Sequence, residues 1–175
     1  LLGPGKGLEV MIEAMPHVVE VHPNAVYVIL GATHPHILRT SGEEYRHRLQ
    51  RRIDHLGLHS NVVFHNQFVD IETLKEYISA ADLYVTPYPN REQITSGTLA
   101  YAVGSGKAVV STPYWYAQEM LADGRGLLVP FADADAMAEA VADVLTDDLR
   151  RHQLRKRAYA YCRNMIWRQV AADYV

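Results

Sequence analysis

Five short apolar runs, separated by segments with helical periodicity, constrain this chain more than any other feature. They are Ala25–Leu30 (AVYVIL), Asn61–Phe64, Leu83–Thr86, Lys107–Ser111 and Leu127–Val129. Continuous apolar runs of this length suit strands covered on both faces, the usual state in a parallel sheet. Residues 7–21 place Leu8, Met11, Ile12, Met15, Val18 and Val19 on one helical face, and His22-Pro23-Asn24 stops that helix. Further helices are expected over Glu43–Leu56 (ended by Gly57), Ile71–Ala80 (capped by Asp70), about Ser96–Val103, residues 115–122, and Ala134–Leu145 (capped by Asp133). Gly31–Thr40 and Tyr88–Thr95 read as loops, and Asp148–Val175 as one or two helices. Strict alternation with short turns predicts an α/β domain of Rossmann-like type, a doubly wound parallel sheet. One domain over residues 1–175 is the expected organisation, without repeat or linker.

The chain opens LLGPGKG, with a glycine-rich turn already under way and neither an initiator Met nor a signal peptide. A turn needs an element before it, so a strand at or just before Leu1, within a longer product, is expected. The net charge of -3 and the scattered Lys and Arg exclude a purely electrostatic binder of nucleic acid or anionic membrane. No apolar run approaches the roughly 20 residues that span a bilayer, which leaves peripheral membrane contact open. A single cysteine, Cys162, excludes an internal disulfide framework and fits a reducing, cytoplasmic compartment.

Ligands of open parallel sheets bind beyond the carboxyl ends of the strands. That rule selects residues 1–7, 31–40, 65–70, 87–98 and 112–116. In Gly3–Gly7 a lysine sits at a helix start, where amides and the helix dipole favour an anion. Gly7 stands where a Walker loop has Ser or Thr, and the third glycine of a dinucleotide fingerprint is missing. The turn therefore reads either as a phosphate cradle or as an ordinary βα turn with a solvated lysine. Glu92-Gln93-Ile94-Thr95-Ser96-Gly97-Thr98-Leu99 is more specific: two N-cap residues, a glycine that admits a ligand to the first-turn amides, and three hydroxyls. A plain capped helix needs only one of these. Gly104-Ser105-Gly106 follows a helix and reads as a helix C-cap.

The nine histidines give no metal motif: HExxH is absent, and His47 and His55 stand about two turns apart on their helix. Thr33 and His34 leave the end of a strand, where they reach a sugar or phosphate or merely form a solvated turn. There is no G-x-S-x-G elbow. Trp115, Trp167, Tyr159 and Tyr161 read as packing residues.

The ordered set of Lys6-Gly7, AVYVILG, NVVFHNQFV, Ala80-Ala81-Asp82-Leu83-Tyr84-Val85-Thr86-Pro87, Gly106-Lys107-Ala108-Val109-Val110-Ser111-Thr112, and Glu119 before Gly126-Leu127-Leu128-Val129 resembles the carboxy-terminal domain of GT-B glycosyltransferases of the retaining family 4 (group 1). The likeness covers nearly the whole chain. It implies donor-substrate binding of a UDP- or GDP-sugar, with Lys6 on the pyrophosphate, no cofactor or metal, and an amino-terminal acceptor domain in the same chain. It further implies main-chain contacts to the nucleobase at Phe68 and Val69. The family's arginine before the lysine maps to Leu1, and its paired glutamates, E-x7-E, map to Gln93 and Tyr101, with Glu92 one residue early. Either Gln93, Ser96 and Thr98 with Tyr101 take over the glutamates' task, or the donor is held differently; the coherent Thr95-Ser96-Gly97-Thr98 run favours the first.

The expected catalytic set is accordingly Lys6, Glu92 and Gln93. The donor-binding set is Gly7, Thr33, His34, Phe68, Val69, Arg91, Thr95, Ser96, Gly97, Thr98 and Tyr101. The reaction would be sugar transfer to a hydroxyl, with the departing diphosphate stabilised by Lys6, the Ser96–Thr98 amides and Arg91. Two rivals stand beside it: a non-catalytic GT-B-like scaffold, and another GT-B enzyme such as a nucleotide-sugar epimerase or a phosphorylase.

Overall fold

The computed structural model describes residues 1–174, excluding the side chains of Trp167 and Asp173. A 3-10 turn, Pro4–Lys6, leads into α1 (Leu8–Val21) and β1 (Tyr27–Leu30). Then come α2 (Pro35–Ser41), α3 (Glu44–His55), β2 (Val62–His65), α4 (Ile71–Ala80), β3 (Leu83–Thr86) and α5 (Gly97–Gly104). The chain continues through β4 (Ala108–Ser111), α6 (Trp115–Met120), β5 (Leu127–Leu128), α7 (Ala134–Thr146), α8 (Asp148–Cys162) and α9 (Trp167–Asp173).

Every strand pairing is parallel among the described residues. β1 runs beside β2 with Tyr27 opposite Val62, and β3 beside β4 with Leu83 opposite Ala108. β5 joins β4 with Val110 opposite Leu127. The ladder comes in two pieces, β1–β2 and β3–β4–β5, where one continuous sheet was anticipated. Leu2 makes an isolated parallel bridge to Thr33, prolonging the β1 side.

β4 shows how the two faces are covered. Side chains alternate across a strand, so Ala108 and Val110 enter the larger apolar cluster, with Met11, Ile12 and Met15 of α1 and Met137 and Val141 of α7. Val109 points the other way, to Leu99 and Val103 of α5, Met120 of α6 and Ala158 of α8. Leu99 is completely buried, worth about 1.5–3 kcal/mol by transfer from water.

The anticipated caps form: Asp70, Ser96 and Asp133 accept from the amides of Thr73, Leu99 and Ala136. Two readings need correction. Residues 31–40, expected as loop, contain α2, because Pro35 stands at the first helical position and His34 caps it by accepting from the His36 amide. Trp115 and Tyr159 are each 50% exposed instead of packed inside, whereas Tyr161 carries the Arg125 guanidinium 3.9 Å from its ring centre. The expectation for the Trp167 side chain falls outside the described residues. Among the described residues no helix is long and apolar enough to cross a membrane.

Candidate functional site

The turn before α1 is pressed against the end of β3. Its amides close locally, Lys6 N–H to Gly3 O at 3.0 Å and Gly7 N–H to Pro4 O at 3.3 Å. Gly7 has φ +63, and a Cβ there would stand 1.9 Å from the Pro87 carbonyl oxygen. Only glycine permits both this conformation and this approach. The close contact delivers Lys6 to the β3 rim, where its Nζ donates to the Tyr88 hydroxyl at 3.0 Å and lies 4.5 Å from that ring's centre.

Tyr88 connects the lysine to the start of α5. Its hydroxyl lies 3.4 Å from Ser96 Oγ, which in turn accepts the Leu99 amide at 3.3 Å. Thr98 Oγ1 accepts from the Tyr84 hydroxyl at 2.7 Å. Among the described residues the first-turn amides of Gly97 and Thr98 have no protein acceptor, as expected at a helix start. A Cβ built on Gly97 meets nothing within 4 Å, so the approach to these amides is open. A cation, two amides and several hydroxyls thus share one rim, an arrangement suited to phosphate oxygens.

The floor beneath them is aromatic and hydrogen-bonded. Tyr88 stacks on Tyr114 with ring centres 5.1 Å apart, Thr112 Oγ1 donates to the Tyr88 carbonyl at 2.6 Å, and the Tyr114 hydroxyl lies 3.2 Å from Thr86 Oγ1. Burial pushes the Tyr88 hydroxyl up, but its hydrogen bonds with Ser96 and Lys6, and the Lys6 charge, outweigh that and leave its pKa below the ordinary value. At Tyr114 burial prevails and the pKa is raised.

The Leu2 bridge carries Thr33 and His34 to the same turn: Leu2 N–H donates to Ala32 O at 2.8 Å and His34 N–H to Leu2 O at 3.0 Å. The Thr33 hydroxyl is already engaged, donating to the Glu43 carboxylate. Arg46 completes that cluster, with Nε 3.1 Å from Glu43 and Nη2 donating to Gly31 O at 3.2 Å and to Asn66 at 2.6 Å. The Thr33 hydrogen bond, with a further contribution from Arg46, holds the Glu43 carboxyl below its usual range.

The remaining residues singled out by sequence lie apart from this cluster. Phe68 is 79% exposed after β2, and Val69 is partly buried. The 91–95 loop is fastened to α6 by Trp115 N–H to Arg91 O at 3.0 Å and Tyr116 N–H to Gln93 O at 3.3 Å. Gln93 spends its side-chain amide on Thr95 O at 2.7 Å. The exposed side chains of Arg91 and Glu92 make no hydrogen bond or ion pair to Lys6 or Ser96 among the described residues, nor does Tyr101, 42% exposed on α5. Sequence reasoning missed Tyr84 and Tyr88 as site residues. Their signal was a pair of hydroxyl-bearing aromatics flanking the end of a strand in Leu83-Tyr84-Val85-Thr86-Pro87-Tyr88. Among the described residues no group of three or more His, Cys, Asp or Glu could hold a metal ion.

A parallel α/β domain that gathers a lysine and a helix start at the carboxyl rim of its strands is Rossmann-like in class. The chain belongs to the glycosyl transferases group 1 family, which matches residues 2–161. It is 31% identical over 171 residues to a phosphatidyl-myo-inositol mannosyltransferase of Mycolicibacterium smegmatis, covering 97% of this chain and 40% of that protein. A GDP-mannose-dependent alpha-(1-6)-phosphatidylinositol monomannoside mannosyltransferase of the same organism is 30% identical over 155 residues, covering 85% of this chain and 38% of that protein. The chain thus spans about two-fifths of the length of these curated relatives.

Solved structures agree on the fold. The C-terminal domain of the group 1 glycosyl transferase LpcC from Francisella tularensis superposes with TM-score 0.80 at 20% identity, over 93% of this chain and 80% of that one. Anabaena HepE, solved with UDP and glucose, gives TM-score 0.82 at 21% identity, over 99% of this chain and 46% of that one.

Proposed function

We propose that this chain is the donor-binding domain of a glycosyltransferase that moves a sugar from a nucleoside-diphosphate sugar to a hydroxyl acceptor. The supporting observation is the continuous contact from Lys6 Nζ through the Tyr88 hydroxyl to Ser96 at the α5 start. As the bond from the anomeric carbon to the phosphate oxygen breaks, charge collects on the departing diphosphate. Lys6 and the Gly97 and Thr98 amides stabilise it there, an electrostatic contribution that needs no reorganisation during the step. The acceptor oxygen bonds to the anomeric carbon and its proton passes to the departing diphosphate oxygen, which balances the transfer. Net retention follows from the family resemblance.

In this reading Thr33, His34, Phe68 and Val69 border the nucleoside. Arg91, Glu92, Gln93 and Thr95 line the sugar side, and Tyr101 lies toward the ribose. Relatives named for GDP-mannose and a neighbour solved with UDP keep both nucleotides in play. The acceptor surface belongs to a second, amino-terminal domain of the longer protein. Since the relatives' names specify phosphatidylinositol acceptors, peripheral membrane contact of the whole enzyme on the cytoplasmic side is part of the same proposal.

Thermal unfolding of the full-length protein with UDP-glucose or GDP-mannose tests this, because a ligand held only by the folded state raises stability. A saturable rise with one donor is expected, smaller in Lys6→Ala and in Ser96→Ala. No rise with either donor would leave a non-catalytic scaffold as the function. Accumulation of an epimerised nucleotide sugar, or of a sugar phosphate, in place of a new glycoside would replace transfer by epimerase or phosphorylase chemistry.

A further inference from the structure

The transfer step uses Lys6 and the α5 amides and leaves one group between them unused, the Tyr88 hydroxyl. The residue is held on several sides. It is 7% exposed, its ring stacks on Tyr114 at 22° from parallel, and its carbonyl accepts from Thr112 Oγ1 at 2.6 Å. A tyrosine fixed in this way keeps one free variable, the direction of its O–H bond.

Its neighbours decide that direction. Lys6 Nζ donates to the Tyr88 oxygen at 3.0 Å. Thr98 Oγ1 already takes the Tyr84 proton at 2.7 Å, which leaves the proton of Thr98 to be given, and the Tyr88 oxygen receives it. Ser96 Oγ already accepts the Leu99 amide. For its own proton Tyr88 has Ser96 Oγ at 3.4 Å, a long contact beside the usual O–H···O distance of about 2.7–2.8 Å. The oxygen is strongly fed and its proton is loosely held. A phosphate that accepts from the Gly97 and Thr98 amides would sit beside the Ser96 cap, and hence beside this hydroxyl.

We propose that Tyr88 is a further catalytic residue, whose hydroxyl turns from Ser96 to the departing diphosphate oxygen and donates to it while Lys6 supports the phenol oxygen from the other side. The inference rests on the donor-binding role of the rim.

The bond from the anomeric carbon breaks with its electron pair on the phosphate oxygen, and the proton that balances the transfer comes from the acceptor. Tyr88 keeps its own proton. It supplies a hydrogen bond that strengthens as the oxygen gains charge, which is the kind of contact that lowers a barrier. Only the O–H bond turns, on a ring that is already in place, so little reorganisation is needed. Burial pushes the Tyr88 pKa up, but Ser96, Lys6 and Thr98 outweigh it, and the more acidic phenol is the stronger donor.

A free nucleoside diphosphate has one more ionisable oxygen than its sugar and so mimics the leaving group. Calorimetric titration of the full-length protein with UDP, UDP-glucose, GDP and GDP-mannose uses that difference. Tyr88→Phe keeps the ring on Tyr114 and removes only the hydroxyl. Tyr45→Phe is the control, deleting another buried tyrosine hydroxyl, which donates to Glu9 at 2.9 Å between α3 and α1. For the nucleotide that binds, Tyr88→Phe should weaken the diphosphate about tenfold or more and the diphosphate sugar about threefold or less. Tyr45→Phe should match wild type for both. Equal weakening of the two ligands by Tyr88→Phe would make Tyr88 a structural support and overturn the proposal, as would wild-type affinities. Should Tyr88→Phe fail to fold, a ring-fluorinated tyrosine at position 88, with its more acidic hydroxyl still protonated, should tighten the diphosphate relative to its sugar; an unchanged ratio would overturn the proposal. Absence of binding by the wild-type protein would remove the donor-binding reading and this inference with it, whereas failure in the variants alone leaves that reading standing.

Discussion

β4 and β1 are similarly apolar in sequence, AVVS against YVIL, and end in different surroundings. Each of the four β4 residues is 0% exposed, while Val28 of β1 is 41% exposed and Tyr27 and Leu30 are only partly covered. β3 resembles β1, with Leu83, Tyr84 and Val85 all partly exposed. The difference is one of neighbours. β4 has a strand on each side and helices on both faces, whereas β1 and β3 each have a strand on one side only among the described residues. An apolar run states that a strand is fit for burial; the strand order decides whether burial happens.

The largest expected effect probes that contrast directly. Val110→Ala should cost about 2–3 kcal/mol of stability. Val28→Ala should cost less than about 1 kcal/mol, because its side chain is half in water already. Urea unfolding of both variants decides; equal losses would mean that β1 is as enclosed as β4 in solution.

A second substitution strikes the turn that spans the two pieces. Gly7→Ala puts a Cβ where the Pro87 carbonyl oxygen stands, at a left-handed backbone position. It should destabilise by more than about 1 kcal/mol and abolish any donor-dependent thermal shift. Wild-type stability together with an intact shift would show that the turn is not tied to β3.

Tyr27 of β1 and Tyr84 of β3 make a pH-dependent prediction. Burial, the main cause at both, raises the pKa of Tyr27 and Tyr84 well above the ordinary tyrosine value. The folded chain keeps these protons while the unfolded chain releases them near pH 10. Their contribution to stability is therefore complete below about pH 10 and is lost as pH rises from there toward the folded values. Urea midpoints should fall above pH 10, and the fall should flatten in a Tyr27→Phe, Tyr84→Phe double variant. An unchanged slope would place both hydroxyls in water.

The smallest effect separates the rim from the interior. Gly97 has open space around it and no positive φ, so Gly97→Ala should stabilise the unliganded domain by about 0.4–1 kcal/mol. The same methyl should weaken the donor-dependent thermal shift, since it occupies the approach to the α5 amides. A shift of wild-type size would remove the first turn of α5 from the donor site.

Much of the fold was legible because its determinants are local. Asp70, Ser96 and Asp133 announced helix starts through side chains that reach amides three residues on. The missed helix α2 had the same kind of signal in His34-Pro35, overlooked because its residues 35–41 lack a clear apolar stripe. The site was only partly legible. Ser96–Thr98 carried a visible cluster of caps and hydroxyls, whereas Tyr88 looked like an ordinary loop residue. Its role as the link between Lys6 and Ser96 exists only through contacts across 82 and 8 residues of chain.

By itself the sequence determined the alternation of strands and helices, the parallel Rossmann-like class and the positions of the caps, since periodicity and capping act over a few neighbouring residues. Tertiary structure decided which apolar strands are enclosed and which side chains meet at the rim. The Lys6–Tyr88–Ser96 contact is a product of strand order. Strand order is settled by packing the whole chain at once, and no local stretch encodes it.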